Sequence, residues 1–451
     1  MVTKNKQKNK TRRVVVLLLL LLACLCLLWA SIAVNSNKMA EFNTFLTSVN
    51  AAVARRNGAQ LAAELALPLS AAPARPQDLQ LAERARHINV LMYCDSNIHD
   101  RNVSSFVGPR VAALKAWVAQ DLDECYKQIH QAYNALLDYF SAKEEDSNWV
   151  IPVLVRVSND LRTVAGVADA AKGDVNNQCL RECLNSLTKG FTAVAKDRTP
   201  VSDPSSKKLA IFAVTNVLFK VYFKLNTLQL CGKLINVVEG PGGIMDNLRL
   251  FPVCDVVMYK YYIGRLKMFE DKYEEARQCL RFALKYCPKT CLRNRQRILA
   301  SLVPIEICLG VMPSEAVGRV YGLHELLTLG NAVRHGDLRT FEHVMSACQR
   351  SFIRLGVYLV LEQAKIIAYR CLAKRIYTLT ASTRLNLASF EQAMHWMGET
   401  VDLDEIECIL ANLIFQGKIK GYLSHQKRYL IVSKADPFPS SAVIKKPSSF
   451  L

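Results

Sequence analysis

A chain of 451 residues, 51% hydrophobic and 22% charged, is too long for one ordinary globular core and too apolar for a disordered polymer. Its formal net charge is +19, with seven of the positive charges and no acid in the first 38 residues. A field of that sign disfavours cationic partners and favours polyanionic ones, either nucleic acid or an acidic protein.

The N-terminus poses its own problem. After Lys4, Lys6, Lys8, Lys10, Arg12 and Arg13, the run from Val14 to Val34 reads VVVLLLLLLACLCLLWASIAV, 21 residues without a charge. Alone, this is a signal anchor, or a signal peptide with a small-residue cleavage site at Ser31-Ile32-Ala33. An anchor would place everything after residue 34 in a lumen. The remainder suits a lumen poorly, with 13 further cysteines in no framework and the single sequon Asn102-Val103-Ser104. Met39 opens a fresh amphipathic stretch, MAEFNTFLTSVNAAVARR. The expectation is a functional protein that begins at Met39, with a membrane-anchored protein through residues 14–34 as the alternative.

From Phe42 to about Tyr139, apolar residues recur at helical spacing, interrupted by LPLSAAPARPQ at 67–77. AWVAQDLDECYKQIHQAYNALLDYF (116–140) predicts one long helix, with Trp117, Leu122, Cys125, Tyr126, Ile129, Tyr133 and Leu137 along one stripe. VAKDRTPVSDPSSKK (194–208) reads as a polar linker and EGPGG (239–243) as a break. In 261–288, Gly264, Ala276, Leu280, Ala283 and Pro288 are spaced as in a tetratricopeptide repeat, although Lys267 stands where that repeat has an aromatic residue. Nearly every other segment is helical with short loops, the pattern of an α-solenoid.

The texture changes after residue 380. LNLASFEQAMHWMG (385–398) predicts a short helix. Asp402 with Glu405 three residues on makes a capping box, Ile406, Ile409, Leu410, Leu413 and Ile414 form a buried stripe, and Gly417 suits the position just past the helix end. Lys418–Ser424 and Lys427–Ser433 then predict a hairpin. Helix, helix, hairpin is the layout of a winged helix closing a helical repeat array.

That combination resembles the PCI module, the family named for the proteasome lid, the COP9 signalosome and a translation initiation factor. Local wording carries the resemblance further: NVLFKVYFKLNTLQLC (216–231), YKYYIGRLKMF (259–269), NRQRILASLVPIEICLGVMPS (294–314), FIRLGVYLVLEQAKIIAYR (352–370) and ILANLIFQGKIKGYLSHQKRYLIVSKADPFP (409–439) are similar to the PCI subunits of the nuclear complex that couples transcription to mRNA export at the pore. The resemblance covers about residues 39–440 and is absent from 1–38. It implies a nuclear, pore-associated protein. It also implies a large scaffold subunit and a small acidic protein shared with the proteasome lid as partners, and a basic surface presented to RNA or double-stranded DNA. A protein-binding subunit of a proteasome-lid-like or signalosome-like assembly is the alternative within the same family.

The residues can be questioned without the family. The helix before the hairpin begins with Asp402, Asp404, Glu405 and Glu407 and carries no Lys or Arg before Lys418, which argues against base readout in a groove. Lys418, Lys420, Lys427, Arg428 and Lys434 are candidates for phosphate contacts, or else the solvated face of an edge hairpin. The resemblance favours nucleic acid. Arg293, Arg295 and Arg297, in an acid-free run that starts at Arg281, and Arg370, Lys374 and Arg375 could extend that surface. Tyr422 and Tyr429 stack bases if exposed, and pack into the sheet if not.

No P-loop, GxGxxG, HExxH or GxSxG occurs, and the eight histidines are scattered. Cys179 and Cys183, and Cys287 and Cys291, lack a matching second pair, so neither metal nor cofactor is expected, and the cysteines read as small buried hydrophobes of a reducing compartment. The expected organisation is an N-terminal segment 1–38, helical repeats over 39–200 and 201–380, a winged helix over 381–435 within a PCI domain of about 252–435, and a tail over 436–451. The chain reads as a non-enzyme.

Overall fold

The computed structural model describes residues 42–69, 76–86, 88–142, 147–240 and 243–439. The Val14–Val34 stretch and most of the tail lie outside the described residues. Among the described residues no helix is long and apolar enough to cross a membrane. The chain divides into two compact units, before and after the Phe251–Pro252 junction.

The first unit is a succession of helices, each packed chiefly on its neighbours in sequence. The single helix expected over 116–140 is two helices, Arg101–Val118 and Leu122–Ser141. Gln120 takes a left-handed φ of 60°, and the Asp121 carboxylate accepts a hydrogen bond from Glu124 N at 3.0 Å, which starts a new helix. The stripe survives the break: Cys125, Tyr126, Ile129, Tyr133 and Leu137 are buried, while Trp117 and Leu122 at the junction are half-buried. The stretch at 194–208 is an ordered turn, in which Asp197 accepts from Lys207 N at 2.7 Å and Thr199 N at 3.0 Å.

One buried polar cluster ties this unit together. Arg110, 2% exposed, ion-pairs with Asp160 and donates from Nε to Leu65 O at 2.6 Å. Asp160 also accepts from Leu67 N at 3.3 Å and from Arg156 Nε at 3.1 Å. Arg156 Nη2 donates to Leu67 O at 2.9 Å. Burial of the Arg110 guanidinium is offset by one carboxylate and one carbonyl, and with Arg156 they fix the chain that follows helix Gly58–Glu64.

The second unit opens with the helix pair Val253–Phe269 and Tyr273–Tyr286. The repeat signature is visible in its packing. A Cβ on Gly264 would stand 2.7 Å from Leu280 Cγ and 3.2 Å from Ala276 O, so glycine permits the close approach of the two helices. Ala276, Leu280 and Ala283 are fully buried, and the helix ends at Tyr286 because Pro288 holds Cys287 extended. Helices Leu292–Cys308 and His324–His335 follow and both pack on Tyr358–Thr380, which also receives the winged helix.

The winged helix is built from β1 (Arg384–Asn386), helices Leu387–Trp396 and Leu403–Phe415, β2 (Gly421–Ser424) and β3 (Tyr429–Val432). The expected capping box is present: Glu405 N donates to Asp402 Oδ1 at 2.7 Å, and Asp402 N to Glu405 Oε2 at 3.2 Å. Gly417 follows the helix with φ 68°, as its position required. The hairpin strands are shorter than expected, and β1 makes the sheet three-stranded and antiparallel in the order β1-β3-β2. Leu385, Leu430 and Leu423 lie in register on the inner face. Leu385 and Leu430 are fully buried in a core shared with Tyr358–Thr380.

Candidate nucleic-acid interface

Eleven basic residues were singled out from the sequence, and the structure separates them into braces and free cations. Arg370, on helix Tyr358–Thr380, is a brace. Its Nε donates to Lys418 O at 3.3 Å, and its Nη2 donates to Phe438 O at 3.0 Å and Pro439 O at 2.8 Å. It holds the chain on both sides of the hairpin against the long helix. Lys418 is half-buried beside it, and burial together with the neighbouring Arg370 charge lowers the ammonium pKa.

Arg428 occupies the hairpin turn with φ 53° and turns back to pair with Asp404 at 2.6 Å and Glu407 at 2.8 Å. Those carboxylates hold the guanidinium pKa above its ordinary value. His425 Nδ1 lies 2.9 Å from the same Glu407. The acidic start of helix Leu403–Phe415 is therefore engaged from within: Asp402 and Glu405 cap the helix, and Asp404 and Glu407 receive the wing. Arg295 is also structural. Its Nη1 donates to Leu284 O at 3.0 Å and Cys287 O at 2.8 Å, and its Nε to Tyr321 Oη at 3.0 Å. Arg375 Nη1 donates to His335 O at 3.4 Å and lines an apolar groove with Leu379 and Trp396. Lys420 pairs with Asp436 at 3.2 Å across an exposed edge.

What remains is a set of exposed cations with no carboxylate partner among the described residues: Lys374, Lys427 and Lys434 in the winged-helix region, and Arg293 and Arg297 near the start of helix Leu292–Cys308. Lys285 and Lys289 join the second group; they line a cleft with Tyr286 and were part of the basic run without being singled out. The two groups do not merge. Lys418 lies near Cys308, at the far end of that helix, and about 16–22 Å of helix at 1.5 Å per residue separates Cys308 from Arg297 and Arg293. No group of His, Cys, Asp and Glu among the described residues is placed to hold a metal ion.

Sequence reasoning missed Arg384. It sits on β1, exposed, beside the hairpin face that carries Tyr422 and Tyr429. No local signal marks it, since the three residues Arg-Leu-Asn are too few to declare a strand.

Helical repeats that run into a winged helix through one shared core define a PCI-type subunit. A family model for the PCI domain matches residues 340–434. PCI domain-containing protein 2 of Danio rerio is 37% identical over 326 residues, covering 71% of this chain and 80% of the relative. The homologue in Dictyostelium discoideum is 32% identical over 370 residues, covering 80% and 83%. A protein of Neurospora crassa named Protein CSN12 homolog is 30% identical over 332 residues, covering 65% and 73%. The chain belongs to the PCI domain-containing protein 2 family, and as such is a PCI scaffold subunit.

Proposed function

We propose that this chain is a non-catalytic adaptor of the nuclear mRNA export machinery at the pore, coupling transcription to export of poly(A) mRNA. In this reading the helical repeats dock protein partners, a large scaffold subunit and a small acidic protein shared with the proteasome lid. The exposed cations hold RNA or DNA through phosphates without reading sequence. The observation that carries the nucleic-acid part is the set Lys285, Lys289, Arg293 and Arg297, exposed and without carboxylate partners among the described residues, on a unit where Arg295, Arg370 and Arg428 are tied to carbonyls and acids. Four cations within 13 residues remain unneutralised, which suits a polyanion.

A second reading is favoured by the relative named as a CSN12 homolog: a protein-binding subunit of a signalosome-like or proteasome-lid-like assembly, its basic face covered by the acidic protein. Affinity purification of the endogenous chain through a C-terminal tag, followed by mass spectrometry, separates the two. Recovery of an mRNA export scaffold with RNA cross-linked to the chain supports the first. Recovery of signalosome or lid subunits, with no cross-linked RNA, supports the second.

A further inference from the structure

The solvent face of the winged-helix sheet has a composition that neither brace nor core requires. Register puts Arg384, Ile431 and Tyr422 side by side in one row, and Asn386, Tyr429 and Ser424 in the next. Opposed residues of an antiparallel pair share a face, so both tyrosines point away from the leucine face that packs on the helices. Tyr422 is 63% exposed and Tyr429 36% exposed. Among the described residues neither ring packs on another ring and neither hydroxyl makes a hydrogen bond. The two are diagonal neighbours, about 7–8 Å apart or slightly less between Cβ atoms. No residue in the two rows is acidic. Lys427 lies in the turn and Arg384 along the edge, both exposed, whereas Lys420 before β2 is paired with Asp436.

We infer that this face is a stacking platform for single-stranded nucleic acid, taking one unpaired base on each tyrosine while Arg384 and Lys427 contact the flanking phosphates. The inference rests on the nucleic-acid reading above and narrows it to a strand class. In a duplex the faces of the bases are covered by their neighbours, and the rings have nothing to stack on. In a single strand the bases can be splayed out and stacked on aromatic side chains. Tyrosine and arginine also occur at protein interfaces, but two rows without an acid, flanked by Arg384 and Lys427, favour a polyanion.

The test is fluorescence anisotropy of the full chain with a labelled single-stranded oligonucleotide and with a duplex of the same length. Tyr422→Ala with Tyr429→Ala should weaken single-strand binding by at least about tenfold, leave duplex binding unchanged, and be rescued by Tyr422→Phe with Tyr429→Phe. Arg384→Ala with Lys427→Ala should weaken both. Single-strand affinity that survives the alanine pair while the charge variants lose it would overturn the platform and leave phosphate binding standing. Failure of the wild-type chain to bind either oligonucleotide would overturn both. An alanine pair that binds single strands normally but loses a PCI-protein partner in pull-down would make the face a protein contact and overturn the inference. Both tyrosines are exposed, and an unchanged thermal melt confirms that the variants fold.

Discussion

Arg428 reaches from the hairpin turn to the helix before it, with Nη1 2.6 Å from Asp404 Oδ1 and 2.8 Å from Glu407 Oε2. The pair closes the wing onto the helix and engages two of the four carboxylates at its start, which stays net negative at the point where other winged helices read a groove. Its consequence is a division of labour between adjacent residues. Arg428→Met should lower thermal stability slightly and leave RNA affinity near wild type, whereas Lys427→Ala, one residue away, should weaken RNA binding and leave stability unchanged. Thermal melts and anisotropy on the two variants check this.

Arg370 tests the brace more severely. Its three acceptors come from Lys418, Phe438 and Pro439, 48 to 69 residues along the chain. Arg370→Met should destabilise the second unit by about 2 kcal/mol, because charge-assisted hydrogen bonds are lost and carbonyls are left unpaired. Arg370→Lys should not restore it, since one ammonium cannot span acceptors on two segments. Urea denaturation followed by circular dichroism measures both.

In the first unit, Arg110→Met leaves Asp160 buried with only Arg156 opposite it, and Leu65 O without its donor. A loss of about 3 kcal/mol is expected, at the low end of the range for breaking a buried pair because Arg156 still compensates. Proteolysis under native conditions should then cut first between residues 65 and 69, the segment the cluster holds through Leu65 and Leu67.

Gly264→Ala should cost about 1–3 kcal/mol, because the new methyl meets Leu280 and neither helix can retreat without opening the pair. Leu280→Ala in the same chain should recover part of that loss, since it removes the atoms the methyl strikes. A double-mutant cycle by chemical denaturation gives the coupling.

Features with local causes were legible in the sequence. The Asp402–Glu405 box and Gly417 are set by chemistry within one turn of helix, and Gly264 with Ala276 and Leu280 by a repeat whose spacing is fixed. The break at Gln120 left no trace because neither glycine nor proline marks it, and Asp121 within a helical pattern reads equally as a surface residue. β1 was invisible for a different reason. Three residues cannot declare a strand, and Arg384–Asn386 is extended only because β3 offers its edge. The basic residues were the hardest. Charge is legible, but whether Arg370 or Arg295 is free depends on carbonyls that the fold brings from elsewhere.

The salt dependence of RNA binding by the full chain tests the central claim most directly. Log affinity should fall linearly with log salt, and replacing Lys285, Lys289, Arg293 and Arg297 together with alanine should reduce the slope by about three units, at roughly 0.7 for each phosphate contact to a single strand. Binding that ignores salt, or a slope unchanged in the fourfold variant, would contradict it.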